Sequence, residues 1–385
     1  MKILVHAARL IAFAAAFACF ASAASAETAW GGGQSRWRSI LDYPDGFYGS
    51  DESVRVAENV LLYQNSNGGW PKNVDMARQL TDDEKEKLRR DRNKSETLID
   101  NGATWSQIRF LALIHAATGE WRYAEAAKRG LNFLLEAQYP NGGWPMIYPL
   151  RRGYYSHITF NDGAMIGVMR LLRDVADNKQ ALDGVKVFGF VDAATRTRCQ
   201  QAIDTGLQLI LATQVVVAGR PTAWCAQYDE NSLEPASARA YELVSLSGYE
   251  SVGIVEYLME TGEPTPEIKR AVVAAIAWFK RSQITGQRVE WEFDSNDKRR
   301  RIDRVVVADP AAKPLWARFY SIDGNRPMFV GRDGVVHDQL ADIERERRLG
   351  YAWLGDWPER LLDKKFPQWQ AKWDSEADAA PADGR

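Results

Sequence analysis

The stretch Gln-Asn-Ser-Asn-Gly-Gly-Trp-Pro at 64–71 returns as Gln-Tyr-Pro-Asn-Gly-Gly-Trp-Pro at 138–145. Each copy follows a segment with helical periodicity, and weaker copies follow the next two such segments, at 214–224 and 283–291. The interval of about 75 residues accommodates two helices with their connections, so the repeating unit is predicted to be a helical hairpin. Asn-Gly-Gly permits positive φ where the helix ends, and Pro prevents the helix from resuming. The loops could be helix stops alone, but a stop makes no use of the flanking Gln and Trp.

Helical patterns fill the intervals between these loops. In each repeat a strongly apolar segment is followed by a more amphipathic one, which indicates an inner and an outer layer of helices. The predicted helices are 51–64, 81–92, 97–117, 121–138, 159–177, 191–213, 246–262 and 264–282. Such hairpins close most simply into an all-α fold, an α/α toroid of about three repeats with irregular loops. Little β-structure is expected, and the one short strand candidate is 304–307.

The first 26 residues have the pattern of a secretory signal peptide. Two basic residues accompany an apolar run, and Ala24-Ser25-Ala26 provides a cleavage site. The run is too short to span a membrane, and no later apolar stretch is long enough. We therefore expect export to the periplasm or the medium, a single toroid domain at 27–374 and a disordered, charged tail at 375–385.

Composition limits the partners of the mature chain. Removal of the signal would take away two basic residues and change the formal net charge from −2 to −4. A mildly acidic protein has no general attraction for polyanions, so we expect no binding of nucleic acid. We also expect a monomer. Cys199 and Cys225 would be the remaining cysteines, and the sequence leaves their pairing open. Stability must come from a packed core, for which 14 Trp, 14 Tyr and 14 Phe provide ample apolar surface.

Two aspartates open the first two strongly apolar helices. Asp-Asn-Gly-Ala at 100–103 resembles Asn-Asp-Gly-Ala at 161–164, so we predict Asp100 and Asp162 at equivalent places on one rim of the toroid. An aspartate at a helix start commonly caps backbone N–H groups. As a pair, with an asparagine beside each, they could instead supply hard oxygen ligands to calcium.

Arginines recur late in the chain, in a stretch rich in Gly, Pro and aromatic residues. Arg318, Arg326 and Arg332 all lie between 314 and 334. A guanidinium is a planar fork suited to carboxylates, so the stretch is predicted to bind anions; scattered surface salt bridges are the alternative. The sequence lacks a Gly-x-Ser-x-Gly elbow, zinc-ligand spacing, a phosphate loop and a dinucleotide fingerprint. The chemistry is therefore left to carboxylates, arginines or a hard metal ion.

Motifs over nearly the whole mature chain, from about 30 to 369, resemble those of the pectate lyases of polysaccharide lyase family ten. They are Asn-Gly-Gly-Trp-Pro-Lys-Asn (67–73), Ile-Asp-Asn-Gly-Ala-Thr (99–104), the second loop (138–145), Thr-Phe-Asn-Asp-Gly-Ala (159–164), Ala-Trp-Cys-Ala-Gln-Tyr-Asp (223–229), Arg-Phe-Tyr (318–320), Asn-Arg-Pro (325–327) and Gly-Arg-Asp-Gly (331–334). The resemblance implies an α/α toroid, secretion, calcium dependence and eliminative cleavage of polygalacturonate.

The same resemblance implies roles for individual residues. Asp100 and Asp162 would be calcium ligands, Arg332 the base, and Arg318 a second catalytic residue that holds a carboxylate or developing charge. An arginine base needs a small neutral fraction of a group whose pKa is ordinarily above about 12, and alkaline pH should increase that fraction.

Five further residues are predicted to bind the substrate. Arg239, Lys72 and Arg347 follow from the resemblance, with Arg348 as an alternative to Arg347. Arg326 comes from the arginine-rich stretch, and Trp144 comes from the repeated loop.

Two other functions remain compatible with the residues. An inverting glycosidase on the same toroid would use two carboxylates among Asp100, Asp162 and Glu250 as acid and base. A non-catalytic sugar-binding repeat protein would use the loop tryptophans as its platform, because sugar ring faces stack on aromatic planes. Only a lyase would form a C4–C5 double bond conjugated to a carboxylate, which absorbs ultraviolet light.

Overall fold

Helices form the main regular structure in a computed structural model of the chain, which describes residue 37 and residues 39–296 and 300–379. They are α1 (Asp51–Tyr63), α2 (Asp82–Arg90), α3 (Trp105–Thr118), α4 (Trp121–Ala137), α5 (Ala164–Asp177), α6 (Ala193–Ala212), α7 (Glu250–Met259), α8 (Pro266–Arg281), α9 (Arg345–Gly350) and α10 (Phe366–Ala379). The predicted helices are confirmed, although α3, α5 and α7 begin eight, five and four residues later than predicted. In the described part of the chain, no helix combines the length and apolar composition needed to cross a bilayer.

Short antiparallel strand pairs connect the helices. The strands are β1 (Ile158–Thr159), β2 (Ala181–Leu182), β3 (Val185–Lys186), β4 (Val216–Val217), β5 (Arg220–Pro221), β6 (Gln227–Tyr228), β7 (Leu246–Ser247), β8 (Gln287–Phe293), β9 (Arg301–Ala308), β10 (Trp316–Ala317), β11 (Phe319–Tyr320), β12 (Phe329–Val330), β13 (Val336–His337) and β14 (Leu354–Gly355). β8 and β9 form a hairpin that contains the predicted strand 304–307 and extends well beyond it. Two pairs matter for the site, because β1 pairs with β6 and β7 pairs with β11.

Three helical hairpins make up the toroid. α3 packs on α4, α5 on α6, and α7 on α8. α3, α5 and α7 contact one another in succession, and so do α4, α6 and α8, while α1 packs against both members of the first hairpin. This arrangement confirms an inner and an outer layer and the predicted α/α toroid.

The repeated loops fasten each outer helix to the next part of the ring. Each loop tryptophan donates its indole N–H to a carbonyl of the preceding helix, as Trp70 to Val60 (2.8 Å), Trp144 to Leu134 (2.8 Å) and Trp224 to Ile210 (2.7 Å). Each flanking glutamine donates its amide both to its own loop and to the next outer helix, as Gln64 to Ala126, Gln138 to Ala202 and Gln214 to Ala271. The flanking Gln and Trp are therefore structural parts of the repeat.

The loop glycines permit this close approach. Gly142 has φ +93°, and a Cβ there would lie 2.3 Å from the carbonyl oxygen of Thr205 in α6. Gly68 has φ +95° and the same relation to Arg129 in α4. A side chain at either position would push the loop away from the outer helix.

The fourth copy of the loop was predicted at the wrong tryptophan. Trp316 donates its indole N–H to the carbonyl of Phe279 in α8 at 2.8 Å, as the other loop tryptophans do. Trp291 instead lies in β8, where the Arg301 guanidinium stacks 4.4 Å from its ring centre. The β8–β9 hairpin lies between α8 and Trp316 in the sequence, so the spacing of this copy differs from that of the other copies.

The prediction that Trp144 binds substrate is wrong. Trp144 is 0% exposed and belongs to the core, as do Trp70 and Trp224. A buried indole with a satisfied N–H stabilises the fold through its apolar area and has no face free for a sugar. The same burial removes the tryptophan platform on which a non-catalytic sugar-binding protein would depend.

Two further expectations concern the cysteines and the chain ends. Cys199 and Cys225 are both buried free thiols, so they do not pair. α10 continues to Ala379, five residues into the expected tail. The expected signal peptide, 1–26, and residues 380–385 lie outside the described residues.

Replacing Trp144 with alanine should destabilise the protein without a specific effect on substrate affinity. Large-to-small changes of buried tryptophan cost about 3–5 kcal/mol, since they leave a cavity and here an unpaired carbonyl. The melting temperature of Trp144→Ala should therefore fall by several degrees, while KM of the folded fraction stays near the wild-type value. Trp121→Ala is the matched control, because Trp121 is 51% exposed on α4 and should change the melting temperature little. A raised KM at unchanged stability would restore the substrate-binding role.

Candidate active site

Two turns lie side by side where the inner helices α3 and α5 begin. Asp100–Gly102 and Asn161–Gly163 are 3₁₀ turns that contact each other. The second residue of each turn has positive φ, 55° at Asn101 and 50° at Asp162. Asn and Asp tolerate this left-handed region better than other non-glycine residues. The two aspartates are therefore offset by one position, which corrects the prediction that they occupy equivalent places.

Neither aspartate caps its helix. The N-caps of α3 and α5, and of the turns before them, have no side-chain capping hydrogen bond. The side chain of Asp100 pairs with Lys72 through one oxygen, while its Oδ1 is buried without a hydrogen-bond partner among the described residues. A buried carboxylate oxygen left in this way is costly, so the capping explanation does not account for Asp100.

The pKa values of the two carboxylic acids move in opposite directions. Burial raises the pKa of Asp100, and the nearby negative charge of Asp162 raises it further. Burial would also raise the pKa of Asp162, but Arg318, Arg239 and Lys72 more than offset it and lower the value. Two interacting carboxylates with separated pKa values are characteristic of functional sites.

Arg318 is the centre of the buried ion network. It donates through Nη2 to Asp162 Oδ1 at 2.8 Å and also to Glu250. Its guanidinium lies between the rings of Tyr249 and Tyr351, 4.7 and 4.5 Å from their centres. Burial would lower the pKa of Arg318, but Glu250 and the surrounding groups raise it well above its ordinary value. Arg318 therefore remains a cation.

Glu250 was considered above only as a glycosidase acid or base, and its geometry gives it another role. Its fully buried carboxylate accepts hydrogen bonds from Arg318, from the backbone N–H of Asp162 at 3.2 Å, and from the Ser247 hydroxyl. It therefore fixes both Arg318 and the turn of Asp162, and no oxygen remains for proton transfer to a sugar.

A second cation, Arg239, is held beside this network. It pairs with Glu242 at 2.7 Å, and Glu242 also accepts a hydrogen bond from the Tyr351 hydroxyl at 2.7 Å. Arg239 stacks on Tyr241 with 4.8 Å to the ring centre. Against the effect of burial, the charge of Arg239 acts to lower the pKa values of both Asp100 and Asp162. The structure thus brings Arg239, Lys72 and Arg318 together around the two aspartates.

Comparisons with known proteins identify the family of the chain. A family model described as pectic acid lyase matches residues 64–362. The chain belongs to the pectic acid lyase family. No curated protein sequence matches it significantly.

Two solved structures are similar to this pectic acid lyase over most of its length. One is a point mutant of a family 10 polysaccharide lyase from Cellvibrio cellulosa in complex with trigalacturonic acid, with 34% identity and a TM-score of 0.69 over 85% of this chain and 98% of that chain. The other is the family 10 polysaccharide lyase from Cellvibrio cellulosa, also with 34% identity and a TM-score of 0.69, over 84% and 95% of the two chains.

The predicted base of this pectic acid lyase, Arg332, is linked to the site through other side chains. Arg332 is 61% exposed and pairs with Glu346 at 3.0 Å, and Glu346 also pairs with Arg347. Arg347 in turn stacks on Tyr241, 4.6 Å from the ring centre, beside Arg239. The hydrogen bond and charge of Glu346 raise the pKa of Arg332, so Arg332 is protonated in this arrangement. Its role as base stays a prediction.

Arg326 and Arg348, the other predicted arginines, are not brought into the network. Arg326 is exposed, and among the described residues no ion pair joins it to either aspartate. Arg348 pairs with Asp303 of the β8–β9 hairpin. Of the two adjacent arginines, Arg347 is therefore the one directed toward Tyr241 and Arg239.

Replacing Glu250 with glutamine should impair turnover strongly. The variant keeps the shape of the side chain but leaves the buried Arg318 with less negative charge, so that Arg318 and the Asp162 turn lose their fixed positions. We expect kcat/KM to fall about 10²-fold, since displacements of about 1 Å in an active site cost that much. Glu256→Gln is the matched control, because Glu256 is on the same helix and pairs with Lys365 at 2.7 Å outside the network. Equal activities of the two variants would exclude the positioning role.

Proposed function

We propose that this pectate lyase cleaves polygalacturonate by calcium-assisted anti-β-elimination. The observation that carries the proposal is the buried Arg318–Asp162 pair beside Asp100, surrounded by Arg239 and Lys72. Carboxylates that can hold a hard cation, next to cations that can hold uronate carboxylates, suit a polyanionic sugar substrate. The trigalacturonic acid bound to the similar Cellvibrio cellulosa enzyme supports the same class of substrate.

Asp100 and Asp162 have the donor chemistry that calcium prefers. Asp100 Oδ1 is buried without a hydrogen-bond partner in the described part of the chain, and its pKa is raised by burial and by Asp162. A divalent cation between the two carboxylates would relieve both effects. When bound there, calcium would withdraw charge from a substrate carboxylate and make the adjacent C5 proton more acidic.

The residues of the chain would orient the substrate and stabilise charge. Arg239, which is partly exposed beside the aspartates, would hold a uronate carboxylate, and Lys72 would do the same from the other side. Arg318 is 4% exposed, so we assign it to holding Asp162 and supplying fixed positive charge near the developing enolate. The side chain of Arg347 is only 9% exposed and pairs with Glu346, so we assign it to holding Glu346 and Tyr241 and not to direct contact with a sugar acid.

After Arg332 separates from Glu346 and loses its own proton to solvent, which alkaline pH favours, neutral Arg332 would take the C5 proton and become a guanidinium again. The Arg332–Glu346 pair is exposed on both sides, so its exchange for a substrate contact costs little. The C4 oxygen would leave on the opposite face, and the product would carry a C4–C5 double bond conjugated with the carboxylate. The leaving C4 oxygen would take a proton from water. The proposed export of the enzyme rests on the sequence pattern of residues 1–26.

The hydrolase alternative is not favoured. Glu250 is fully buried and hydrogen-bonded, and Asp162 pairs with Arg318, whereas an inverting hydrolase needs two carboxyl groups free to act on the sugar and on water.

A calcium-dependent absorbance assay tests the proposed reaction. Purified enzyme should raise ultraviolet absorbance on polygalacturonate, chelator should abolish the signal, and added calcium should restore it. Asp100→Asn and Asp162→Asn should shift the calcium titration to at least about tenfold higher concentrations, because each loses a charged ligand. Reducing-sugar release without absorbance would identify a hydrolase, and full activity in chelator would remove calcium from the mechanism.

Replacing Arg332 with alanine tests the base. We expect a loss of about 10³-fold in kcat with folding and calcium binding intact, within the range that general-base catalysis contributes. Arg345→Ala is the matched control, since Arg345 is an exposed arginine beside Glu346 that contacts the backbone of Ile302. Near-normal turnover in Arg332→Ala would assign the base to another residue.

The pH dependence of Glu346→Gln gives a second test of the base. Glu346 raises the pKa of Arg332, so its removal should lower that pKa and move the alkaline rise of kcat/KM toward lower pH. The measurement is a pH–rate profile of the variant beside the wild-type enzyme. A profile that does not move, or moves to higher pH, would contradict the role of Arg332.

A further inference from the structure

A cluster of one histidine and two carboxylates lies beside the β1–β6 pair and includes none of the residues assigned to the active site above. His157 directly precedes β1, and Asp229 and Glu230 directly follow β6. β1 and β6 are antiparallel with Ile158 opposite Tyr228, so the pairing places His157 and Asp229 next to each other. One ligand-type atom from each of the three residues lies within 4.8 Å of the others. No other His, Cys, Asp or Glu group of this kind occurs in the described ranges.

Two atoms of the cluster are buried without partners. His157 Nδ1 and Glu230 Oε2 are inaccessible to solvent and make no hydrogen bond to the described residues. Buried polar atoms are nearly always satisfied, so each one left without a partner is unfavourable. An imidazole nitrogen and a carboxylate oxygen without partners, in residues whose ligand-type atoms lie within 4.8 Å of one another, suit a cationic ligand.

Hydrogen bonds from the chain hold the third residue of the cluster, Asp229, in a fixed orientation. Asp229 Oδ1 accepts hydrogen bonds from the backbone N–H groups of Asn231 (2.9 Å) and Ser232 (2.8 Å) and from the Ser232 hydroxyl (3.1 Å). These three bonds hold the carboxylate in place, so they fix the direction of its other oxygen.

The donor set selects the kind of ion. Calcium takes oxygen ligands almost alone, whereas zinc and related first-row ions accept imidazole nitrogen together with carboxylate oxygen. Ligands at about 2.0–2.2 Å from a tetrahedral zinc ion lie about 3.3–3.6 Å from one another, so these half-buried side chains would have to move inward by about 1 Å. We propose that His157, Asp229 and Glu230 bind a divalent transition-metal ion of the zinc class, separate from the calcium proposed at Asp100 and Asp162.

Such an ion would join two rim segments. His157 ends a loop in which the ring centres of Tyr154 and Tyr155 lie 4.1 Å apart. The charges of Arg239 and Glu242 act on the hydroxyl of Tyr154, so this loop lies near the active-site cations. The backbone carbonyl of Glu230 already accepts a hydrogen bond from Asn141 of the repeated loop at 2.8 Å. The metal would fasten the tyrosine loop to the turn after β6 and so stabilise the rim near Arg239.

Zinc titration of the full-length mature protein tests the site. The protein is stripped with chelator, returned to metal-free buffer and titrated with zinc chloride by calorimetry, and cobalt(II) is added separately to record the visible spectrum of the bound ion. We expect one equivalent of zinc, a higher melting temperature on binding, and a cobalt spectrum that shows nitrogen and oxygen ligation. His157→Ala and Glu230→Gln should each lose more than about 100-fold in zinc affinity, since loss of even an outer partner costs 10–100-fold.

Controls separate this site from other sources of binding. His337→Ala removes a half-buried histidine of β13 outside the cluster and should keep full zinc affinity. Asp100→Asn should also keep it, so failure of the calcium proposal and failure of the zinc proposal give different results. Melting curves of the metal-free variants establish that each is folded, and the shape-conserving Glu230→Gln provides an answer where His157→Ala is unstable. Zinc titrations without saturable heat, or with equal affinity in the cluster variants and the wild-type protein, would overturn the proposal.

Discussion

The active site depends on the burial of one guanidinium, that of Arg318. A charge this deep must be paired, because an unpaired buried charge costs several kcal/mol. Glu250 supplies a counter-charge from the start of α7, Asp162 supplies another from the turn before α5, and the ring centres of Tyr249 and Tyr351 lie 4.7 and 4.5 Å from the guanidinium. Since these partners come from separate parts of the chain, the buried cation fixes the turn of Asp162 relative to the last inner helix.

The repeated loops provide the frame in which this pairing is possible. Each loop tryptophan is buried in the core, and each flanking glutamine donates a hydrogen bond to the next outer helix. The repeat therefore sets the spacing of the hairpins and brings the turns at 100–102 and 161–163 side by side. The repeated loops thus serve the fold, while the proposed substrate chemistry is assigned to residues outside these loops.

Local patterns predicted the helices, since each helix depends on residues a few positions apart, and the recurrence of short motifs along the chain predicted the hairpin repeat and the pair of aspartates. They could not predict the role of Glu250, whose partners Arg318 and Asp162 are 68 and 88 residues away. Trp144 was misjudged because a repeated aromatic residue suits a core position as well as a sugar platform, and only burial distinguishes them. The two aspartates occupy different positions of their turns. Asp and Asn both tolerate the positive φ of the second position, which is Asn101 in one turn and Asp162 in the other.

Charge balance connects the proposed cation with the proposed substrate. The mature chain is acidic overall, so attraction for polygalacturonate must be local. Lys72, Arg239 and Arg318 each pair with a carboxylate of the chain itself, and this leaves little net positive charge in the site. A divalent ion at Asp100 and Asp162 would neutralise those two carboxylates and release Lys72 for the substrate, while Arg239 and Arg318 keep their pairs with Glu242 and Glu250. Under the proposed function, calcium and polygalacturonate would therefore each raise the affinity for the other by the same factor, as linkage requires.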